Sequence, residues 1–250
     1  MNARRMVGLA SALIATVAAL TLPSPAGARA ACAVAPVAAH RGNWDGKYDD
    51  NTRNGFRYAQ NHDARAWWET DVSVAIDGKL VMQHDPSAPW TLTLFDFLND
   101  VSVDQPQVFM ELKFVPTDAQ WTTILDMITW YGVRTNIVIT SFDGQTLLTA
   151  EQKAPDIKRG LIESAGYTTA ANITKWHVQY YLKHSDSITS ARMSEWTGAG
   201  LKVAPWSDHL SNSPAEWQRM NYYPMVAIIT DTGGAYDTWA AQQGCTVTKR

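Results

Sequence analysis

The sequence predicts an α/β fold, a single (β/α)8 barrel, and three observations support this prediction. Short apolar runs alternate with amphipathic segments through most of the 250 residues, as in a parallel sheet covered by helices. Eight such runs occur, the number of strands that closes this kind of barrel. Several acidic and basic side chains follow these runs, at the strand ends where such barrels carry their functional groups.

The predicted elements follow the apolar pattern along the chain. Strands are expected at 37–40, 67–72, 108–112, 137–140, 158–162, 178–181, 202–205 and 225–230. Helices are expected at 52–60, 91–99, 118–130, 144–152, 187–197, 214–219 and 236–242. The pattern alone leaves the fifth and sixth strands open, and the segment 165–175 is ambiguous because it contains a glycine and several threonines.

Residues 1–30 have the pattern of a secretory signal peptide. Arg4 and Arg5 precede an apolar stretch over residues 6–20, and a small-residue cleavage site ends at Ala30. The apolar stretch is short for a spanning helix and runs into prolines, so no stable membrane anchor is expected. Residues 31–250 would then form one secreted barrel domain, near the lower end of the size range for this fold.

The charge balance argues against nucleic acid as a partner. Residues 1–30 contain three arginines and no acid, so residues 31–250 carry 18 basic and 24 acidic side chains, a net charge of −6. Nucleic-acid affinity is dominated by cationic contacts to phosphate, and anionic lipid attracts polybasic segments. Neither feature is evident, so no nucleic-acid partner is expected. A monomer that acts on a small molecule is expected as well.

Three acidic residues form the first candidate site. Glu69 and Asp71 lie two apart on one predicted strand, so both side chains leave the same face, and Glu111 lies on another strand. Carboxylates this close repel each other unless a cation lies between them. Three oxygen donors suit Ca²⁺ or Mg²⁺ better than zinc, so one divalent ion is expected. Ion pairs with Arg41 and Lys113, without a metal, are the alternative.

Two histidines and two cations complete the candidate site. His40 and His84 lie in the same part of the chain, and imidazoles can serve as acid and base near neutral pH. Arg41 follows His40, and Lys113 lies two residues after Glu111, so both can neutralise charge that accumulates on phosphate oxygens. A metal, an acid, a base and two cations together are what cleavage of a phosphate ester requires.

This ordered set of motifs resembles the glycerophosphodiester phosphodiesterase family over most of residues 31–250. The matching segments are His-Arg-Gly at 40–42, Asp-Asn-Thr at 50–52 where the family has Glu-Asn-Thr, Glu-Thr-Asp-Val at 69–72, a turn and strand at 77–85, Glu-Leu-Lys at 111–113, and two late strands at 200–206 and 228–231. The resemblance places the fifth and sixth strands and implies a phospholipase-C-like phosphodiesterase barrel. It also implies acid–base catalysis by His40 and His84 through a cyclic phosphate.

One departure from the family concerns the region between His84 and Glu111. The family carries a substantial cap insertion there, whereas this chain has only residues 86–107, with one short predicted helix. The cap is therefore expected to be largely missing. An open cleft of this kind would admit a bulkier substrate than glycerophosphocholine.

The chain has 11 tryptophans, and three are candidates for substrate contact. Trp206 matches the late-strand tryptophan of the family and is expected to form a wall of the cleft. Trp44 and Trp90 lie on predicted loops near motif residues and are expected to contact substrate. Trp68 neighbours Glu69 on the strand and should face the helices. Packing roles are expected for Trp67, Trp121, Trp130 and Trp217.

Two cysteines, Cys32 and Cys245, flank the predicted barrel. In a closed barrel the first strand pairs with the last, so the two ends of the chain can meet. Outside the cell this pair is expected to form a disulfide, with two free thiols as the alternative. Closing so long a loop would stabilise the fold by roughly 4–5 kcal/mol in the chain-entropy model.

Together these features predict a secreted, divalent-metal-dependent phosphodiesterase that acts on glycerophosphodiesters or lysophospholipids. The nearest alternative is an enzyme similar to sphingomyelinase D-type phospholipases, which share the barrel, two histidines, acidic triad, lysine and late tryptophan. The His-Arg-Gly sequence at 40–42 favours the first hypothesis. A non-catalytic phospholipid-binding barrel is the alternative from another class, and the competent residue at every proposed catalytic position argues against it.

Overall fold

The computed structural model describes residues 32–207 and 213–247, so the predicted signal peptide lies outside the described residues. The described residues group into one unit, Ala31–Arg250. Within this part of the chain, no helix has the length and apolar character needed to cross a bilayer.

The strands are short, as the apolar runs predict. In chain order they are β1 (Cys32–Val34), β2 (Val37–Ala39), β3 (Trp67–Val74), β4 (Leu80–Met82), β5 (Val108–Leu112), β6 (Ile137–Ser141), β7 (Lys158–Glu163), β8 (Tyr180–His184), β9 (Lys202–Trp206), β10 (Ile228–Thr230) and β11 (Cys245–Val247). A 3₁₀ turn, His40–Gly42, directly follows β2.

The helices alternate with the strands. They are α1 (Arg53–His62), α2 (Leu94–Asp104), α3 (Asp118–Trp130), α4 (Gly144–Lys153), α5 (Ala170–Thr174), α6 (Ser190–Gly198), α7 (Pro214–Asn221) and α8 (Gly233–Gln242). Most begin at a side-chain cap that satisfies a free backbone N–H group of the first turn. In α3, for example, the Thr117 hydroxyl accepts from the Gln120 N–H, and the Gln120 side chain accepts from the Thr117 N–H.

Eight parallel strands close into a barrel. The hydrogen-bonded order is β2-β10-β9-β8-β7-β6-β5-β3, and β2 also pairs with β3. Each barrel strand leads to one helix, from α1 after β2 to α8 after β10. This is the predicted (β/α)8 barrel, and α2 is the one helix between His84 and β5, which confirms that the cap insertion is largely missing.

Three further strands lie outside the barrel. β4 pairs antiparallel with β3 and brings the chain to His84. β1 pairs in parallel with β11, with Cys32 directly opposite Cys245, and the two cysteines form the predicted disulfide. The disulfide therefore joins the two ends of the described chain beside the closure of the barrel.

The core has two apolar layers, as expected for this fold. Inside the barrel, side chains such as Trp67, Phe109 and Tyr180 pack against one another. The larger layer lies between the strands and the helices, where Trp68 packs against Phe56 of α1 and confirms its predicted outward direction.

Some predictions from the pattern were wrong. Trp130 ends α3 off the buried stripe that contains Ile124 and Ile128, and it is 81% exposed, so it has no packing role. The sixth barrel strand runs over Tyr180–His184 rather than 178–181 because its second half is polar and gives no apolar signal. The last barrel strand covers only Ile228–Thr230 of the predicted 225–230.

Candidate active site

The predicted site residues converge at the carboxyl ends of β2, β3 and β5. His40 and Arg41 follow β2, Glu69 and Asp71 lie on β3, and Glu111 lies on β5. They line a single cleft. The lining comprises His40, Arg41, Glu69, Asp71, His84, Glu111, Lys113, Phe142, Ile162, Leu182, Trp206 and Ile229.

The acidic triad of Glu69, Asp71 and Glu111 forms a compact cluster. Asp71 and Glu111 are directly opposite on neighbouring strands, and Glu69 points to the same face as Asp71. One carboxylate oxygen from each lies within 4.8 Å of the others, and all three side chains are buried. This donor set fits one hard divalent cation such as Ca²⁺ or Mg²⁺.

The electrostatics of the triad support the same conclusion. Burial, together with the charge on Asp71, raises the pKa of Glu69 to about 8 and that of Glu111 to about 7. A buried carboxyl that resists ionisation near neutral pH lacks sufficient positive charge around it. A divalent cation supplies that charge.

Asn51, which the sequence analysis did not single out, holds Asp71 in place. The Asn51 amide donates to Asp71 Oδ2 at 3.0 Å, and its oxygen accepts from the Asp71 N–H and from the Thr70 hydroxyl at 2.8 Å. Asn51 is buried and has φ 56°, a left-handed conformation that asparagine tolerates. Its place in the Asp-Asn-Thr motif was the available signal, although the motif does not reveal which contacts it makes.

Both predicted cations contact the triad directly. Arg41 Nε lies 3.2 Å from Asp71 Oδ2, and Lys113 Nζ lies 3.0 Å from Glu111 Oε1. The Arg41 N–H also donates to Glu69 Oε2 at 2.9 Å. The ion pairs considered as an alternative therefore exist, and beside them burial and the Asp71 charge still raise the pKa of Glu69 and of Glu111.

The turn that presents Arg41 depends on a glycine. Gly42 has φ +73°, and a Cβ atom placed there would lie 2.6 Å from the Phe56 ring. Glycine is therefore required both for the left-handed backbone and for the close approach of α1. This explains locally why the segment reads His-Arg-Gly.

His40 is held by an acidic partner on the last barrel strand. Its Nδ1–H donates to Asp231 Oδ1 at 2.8 Å, while Nε2 lies 4.0 Å from Glu69 Oε2. Burial lowers the pKa of His40, but the Asp231 hydrogen bond and the Glu69 charge outweigh it and raise the pKa to about 9. Asp231 was recognised only as part of a late strand, and its distance in sequence from His40 hid this role.

His84 reaches the cleft from the segment after β4. The Gln83 N–H donates to the Asp71 carbonyl at 2.9 Å, and the Ser73 hydroxyl donates to the Gln83 carbonyl at 2.8 Å, so the backbone before His84 is fixed against β3. His84 itself is exposed. Partial burial lowers its pKa, which keeps the imidazole neutral near neutral pH.

The side of the cleft facing these polar groups is apolar. Trp206 lies at the end of β9, where the sequence places it, and its Nε1–H donates to the Leu182 carbonyl at 3.3 Å. Phe142 meets the Trp206 ring edge-on, with ring centroids 6.2 Å apart. This wall gives the non-reacting part of a substrate an apolar surface.

Trp44 and Trp90, the other two predicted substrate contacts, are not among the residues that line the cleft. Trp44 is buried, and its ring packs so closely on Gly233 that a Cβ there would lie 2.4 Å away. Trp90 lies beside the Lys79 ammonium, 5.6 Å from its ring centroid, and neither tryptophan lines the cleft.

Comparison with known proteins identifies the fold. No protein-family profile and no curated protein match the sequence. Among solved structures, one from Silicibacter pomeroyi, assigned as a glycerophosphoryl diester phosphodiesterase, is 18% identical with a TM-score of 0.75 and covers 86% of this chain and 96% of that one. A glycerophosphodiester phosphodiesterase from Parabacteroides distasonis is 16% identical with a TM-score of 0.71, covering 84% and 98%.

A third structure was solved with a bound product. It is a phosphodiesterase from Oleispira antarctica in complex with sn-glycerol 3-phosphate, 18% identical with a TM-score of 0.71, covering 83% of this chain and 97% of that one. At these identities the likeness concerns the fold, and it extends over nearly the whole length of each of the three structures. The chain therefore has the fold of the glycerophosphodiester phosphodiesterases.

Proposed function

We propose that this protein is a phosphoric diester hydrolase that cleaves glycerophosphodiesters to an alcohol and glycerol phosphate. The observation that carries the proposal is the convergence of three buried carboxylates, two imidazoles and two cations in one cleft. The fold shared with glycerophosphodiester phosphodiesterases supports it. The product named for the Oleispira antarctica structure is the one this reaction would release.

Glu69, Asp71 and Glu111 would hold one divalent cation, Ca²⁺ or Mg²⁺. When bound, such an ion withdraws charge from a non-bridging phosphate oxygen. Arg41 and Lys113 already lie against the triad and would present their remaining N–H groups to the phosphate oxygens. Their positive charge stabilises the negative charge that accumulates on these oxygens as the ester bond breaks.

His40 and His84 would move the protons. One imidazole takes the proton from a neighbouring hydroxyl of the glycerol group, which attacks phosphorus, and the other donates a proton to the departing alcohol oxygen. This forms a cyclic phosphate, and water then opens the ring to give glycerol phosphate. Asp231 keeps His40 in one orientation throughout, because it accepts the Nδ1 proton and leaves Nε2 towards the cleft.

One observation favours lysophospholipid or sphingomyelinase D-type substrates as a second candidate. Val115, Phe142 and Tyr167 follow three consecutive barrel strands, β5, β6 and β7, and each is about half or more exposed. Phe142 also lines the cleft, so it extends the apolar wall to the surface. An acyl chain attached to the phosphodiester would find exposed apolar side chains at this end of the barrel.

Phosphorus NMR of the products tests these proposals together. The purified chain is incubated with glycerophosphocholine, glycerophosphoethanolamine, a lysophosphatidylcholine and sphingomyelin, with added Ca²⁺ or Mg²⁺ and with a chelator. We expect glycerol phosphate and a transient cyclic phosphate from the glycerophosphodiesters, with loss of turnover in chelator. Faster turnover of the lipid substrates would favour the second candidate.

The same panel addresses a non-catalytic barrel. No product from any substrate with any metal, together with unchanged substrate affinity in a His40→Ala variant, would establish a binding protein instead. His177→Ala is the matched control, because this histidine pairs with Glu151 away from the cleft. It should behave as the parent protein in every assay.

The remaining sequence-based expectations stay with this proposal. We propose a secreted monomer with residues 1–30 as signal peptide and with no nucleic-acid partner and no stable membrane anchor. The Cys32–Cys245 disulfide supports an oxidising compartment, where such bonds persist. Mass spectrometry of the exported protein tests the start of the mature chain, and light scattering tests the monomer.

A further inference from the structure

A second cavity opens at the amino-terminal ends of the barrel strands, at the opposite end from the candidate active site. Its volume is about 330 Å³, within the range of small-molecule pockets. Trp67, Lys158, Tyr180 and Lys202 line it, and each is the first residue of its strand. No carboxylate lines this cavity, in contrast to the catalytic cleft.

The two lysines occupy positions that face the inside of the barrel. Lys158 is four residues before Ile162 on β7, and Lys202 is two residues before Ala204 on β9, and both of these apolar residues belong to the interior cluster. Because side chains alternate along a strand, the lysines leave the same face. Lys202 is exposed and Lys158 is partly exposed, so both ammonium groups remain available to an anion that enters the cavity.

The described residues provide no carboxylate partner for either lysine. Neither Lys158 nor Lys202 forms an ion pair with a carboxylate within residues 32–207 and 213–247. Lys202 Nζ lies instead 5.3 Å from the centroid of the Tyr180 ring, directly across from it in the sheet. The positive charge at this mouth is therefore held over an aromatic face and left open to the cavity.

Tyr180 supplies a hydroxyl donor at the same mouth. The residue is 2% exposed and lines the cavity, and its hydroxyl is not sealed from solvent. A hydroxyl that water reaches can donate to an acceptor bound in the cavity in place of that water.

We propose that this cavity binds a small organic anion with an aromatic body. The negative group pairs with the ammonium groups of Lys158 and Lys202 and accepts from the Tyr180 hydroxyl. The aromatic body packs against Trp67 and Val226, two of the apolar residues of the lining. The cavity shares no lining residue with the catalytic cleft, so this site stands or fails independently of the proposed phosphodiesterase activity.

Calorimetric titration of the full disulfide-bonded chain with 4-phenylbutyrate tests the proposal. We expect saturable binding at one site. The neutral probe 4-phenylbutanamide keeps the ring and the chain length but lacks the charge, so it should bind about tenfold or more weakly. This comparison uses the unaltered protein and does not depend on the folding of a variant.

Variants then locate the site. The double variant Lys158→Ala, Lys202→Ala should weaken 4-phenylbutyrate by about tenfold or more, and Tyr180→Phe by a smaller factor. Lys175→Ala is the matched control, since Lys175 also lies over an aromatic ring, 4.8 Å from Trp176, but outside the cavity. Lys113→Ala, at the catalytic cleft, should likewise leave the affinity within about twofold.

Four results would overturn the proposal. They are no saturable heat up to about 10 mM probe, equal affinity for the neutral amide, unchanged affinity in the double lysine variant, and loss of binding in Lys113→Ala, which would place the anion in the catalytic cleft.

Discussion

The two ends of the barrel differ in what their residues contribute: the carboxyl ends carry a cluster of buried acids, and the amino ends carry the disulfide between the first and last strands. At the carboxyl ends, the acidic triad lies within 4.8 Å and is incompletely neutralised by two cations. At the amino ends, the disulfide joins β1 to β11, and Arg65 before β3 contacts both Asp63 and the Val247 carbonyl. The carboxylates at the carboxyl end repel one another, whereas the disulfide and the Arg65 contacts at the amino end stabilise the fold.

This difference explains how the fold can support a destabilising site. Three buried carboxylates lower the stability of the metal-free chain whenever they ionise together. The cross-linked amino end can offset that loss without contacting the reacting groups, since neither cysteine lines the cleft. Activity and stability should therefore respond separately to substitutions at the two ends, as found generally for barrels of this kind.

The largest expected effect is at the carboxyl end. His40→Ala and His84→Ala should each lower kcat by about 10²–10⁴-fold, because each removes a proton-transfer group of the proposed reaction. Thermal unfolding should change little for His84→Ala, since His84 is exposed. Steady-state kinetics with glycerophosphocholine and a thermal melt measure both quantities on the same samples.

The control for this experiment is His177→Ala, with the Nδ1 of His177 2.9 Å from Glu151 Oε1 on the outside of the barrel. Its kcat should equal that of the parent. If His84→Ala kept full activity, the proposed role of the second imidazole would be wrong. The conclusion that activity depends on the residues at the carboxyl end would then lose this support.

The next effect belongs to the amino end. Cys32→Ser with Cys245→Ser should lower the free energy of unfolding by about 4–5 kcal/mol, because the disulfide closes a loop with a sequence separation of 213 residues. At a temperature where the variant is folded, kcat should be unchanged. Denaturant unfolding and kinetics of the double variant check this, with reducing agent added to the parent as a second route.

A lower kcat in the folded double variant than in the parent would contradict the expected independence of the two ends. It would show that loss of the disulfide at the amino end alters the cleft at the carboxyl end. Addition of reducing agent to the double variant serves as the control. It should have no effect, since the described residues contain no other cysteine.

The sequence predicted most of the fold because the barrel strands carry a simple apolar signal. The third barrel strand, Val108–Leu112, and the helix after it, Asp118–Trp130, match their predicted bounds. The sixth strand did not, because its carboxyl half contains Lys183, which is buried beside Glu163 with Nζ 3.3 Å from Oε2. A lysine paired inside the fold leaves no apolar signal in the sequence.

The sequence predicted those site residues that lie at the ends of barrel strands. The acidic triad, both histidines and both cations all line the cleft where strand order places them. Asp231 and Asn51 were missed in their roles, because side-chain contacts across 191 and 20 positions depend on barrel closure and loop conformation. The place of Trp44 also could not be read from the sequence, since this loop tryptophan near a motif packs on Gly233 and does not line the cleft.

A smaller effect is expected from the acidic partner of His40. Asp231→Asn removes a charged hydrogen-bond partner from His40 and should lower kcat by about 10–100-fold. The pKa of His40 should also fall from about 9, because only burial and Arg41 would then act against the Glu69 charge. Kinetics and an NMR titration of the His40 imidazole in metal-free protein provide the two measurements.

Asp186→Asn is the matched control, because Asp186 lies beside another imidazole, with its Oδ2 3.7 Å from His184 Nδ1, and does not line the cleft. Unchanged titration of His40 in Asp231→Asn would show that the 2.8 Å contact does not control its protonation. Any fall in kcat would then come from the orientation of the His40 ring and not from its protonation.

The smallest effect concerns the stability of the metal-free chain as a function of pH. The pKa values of Glu69 and Glu111 are raised to about 8 and about 7, above the unfolded value of about 4.5. Between the unfolded pKa and these raised values, the folded chain therefore binds more protons than the unfolded chain. Their contribution to stability is therefore complete below the unfolded pKa of about 4.5 and is lost as the pH rises through about 7 and 8. Thermal melts in chelator should show a falling midpoint over this interval, and Glu69→Gln should flatten the fall.

Added Ca²⁺ or Mg²⁺ should raise the midpoint most at the alkaline end, where the ion meets ionised carboxylates and does not compete with protons. A midpoint that rises with pH in chelator would show that Arg41 and Lys113 neutralise the triad by themselves, and the contrast between the two mouths of the barrel would then not be electrostatic.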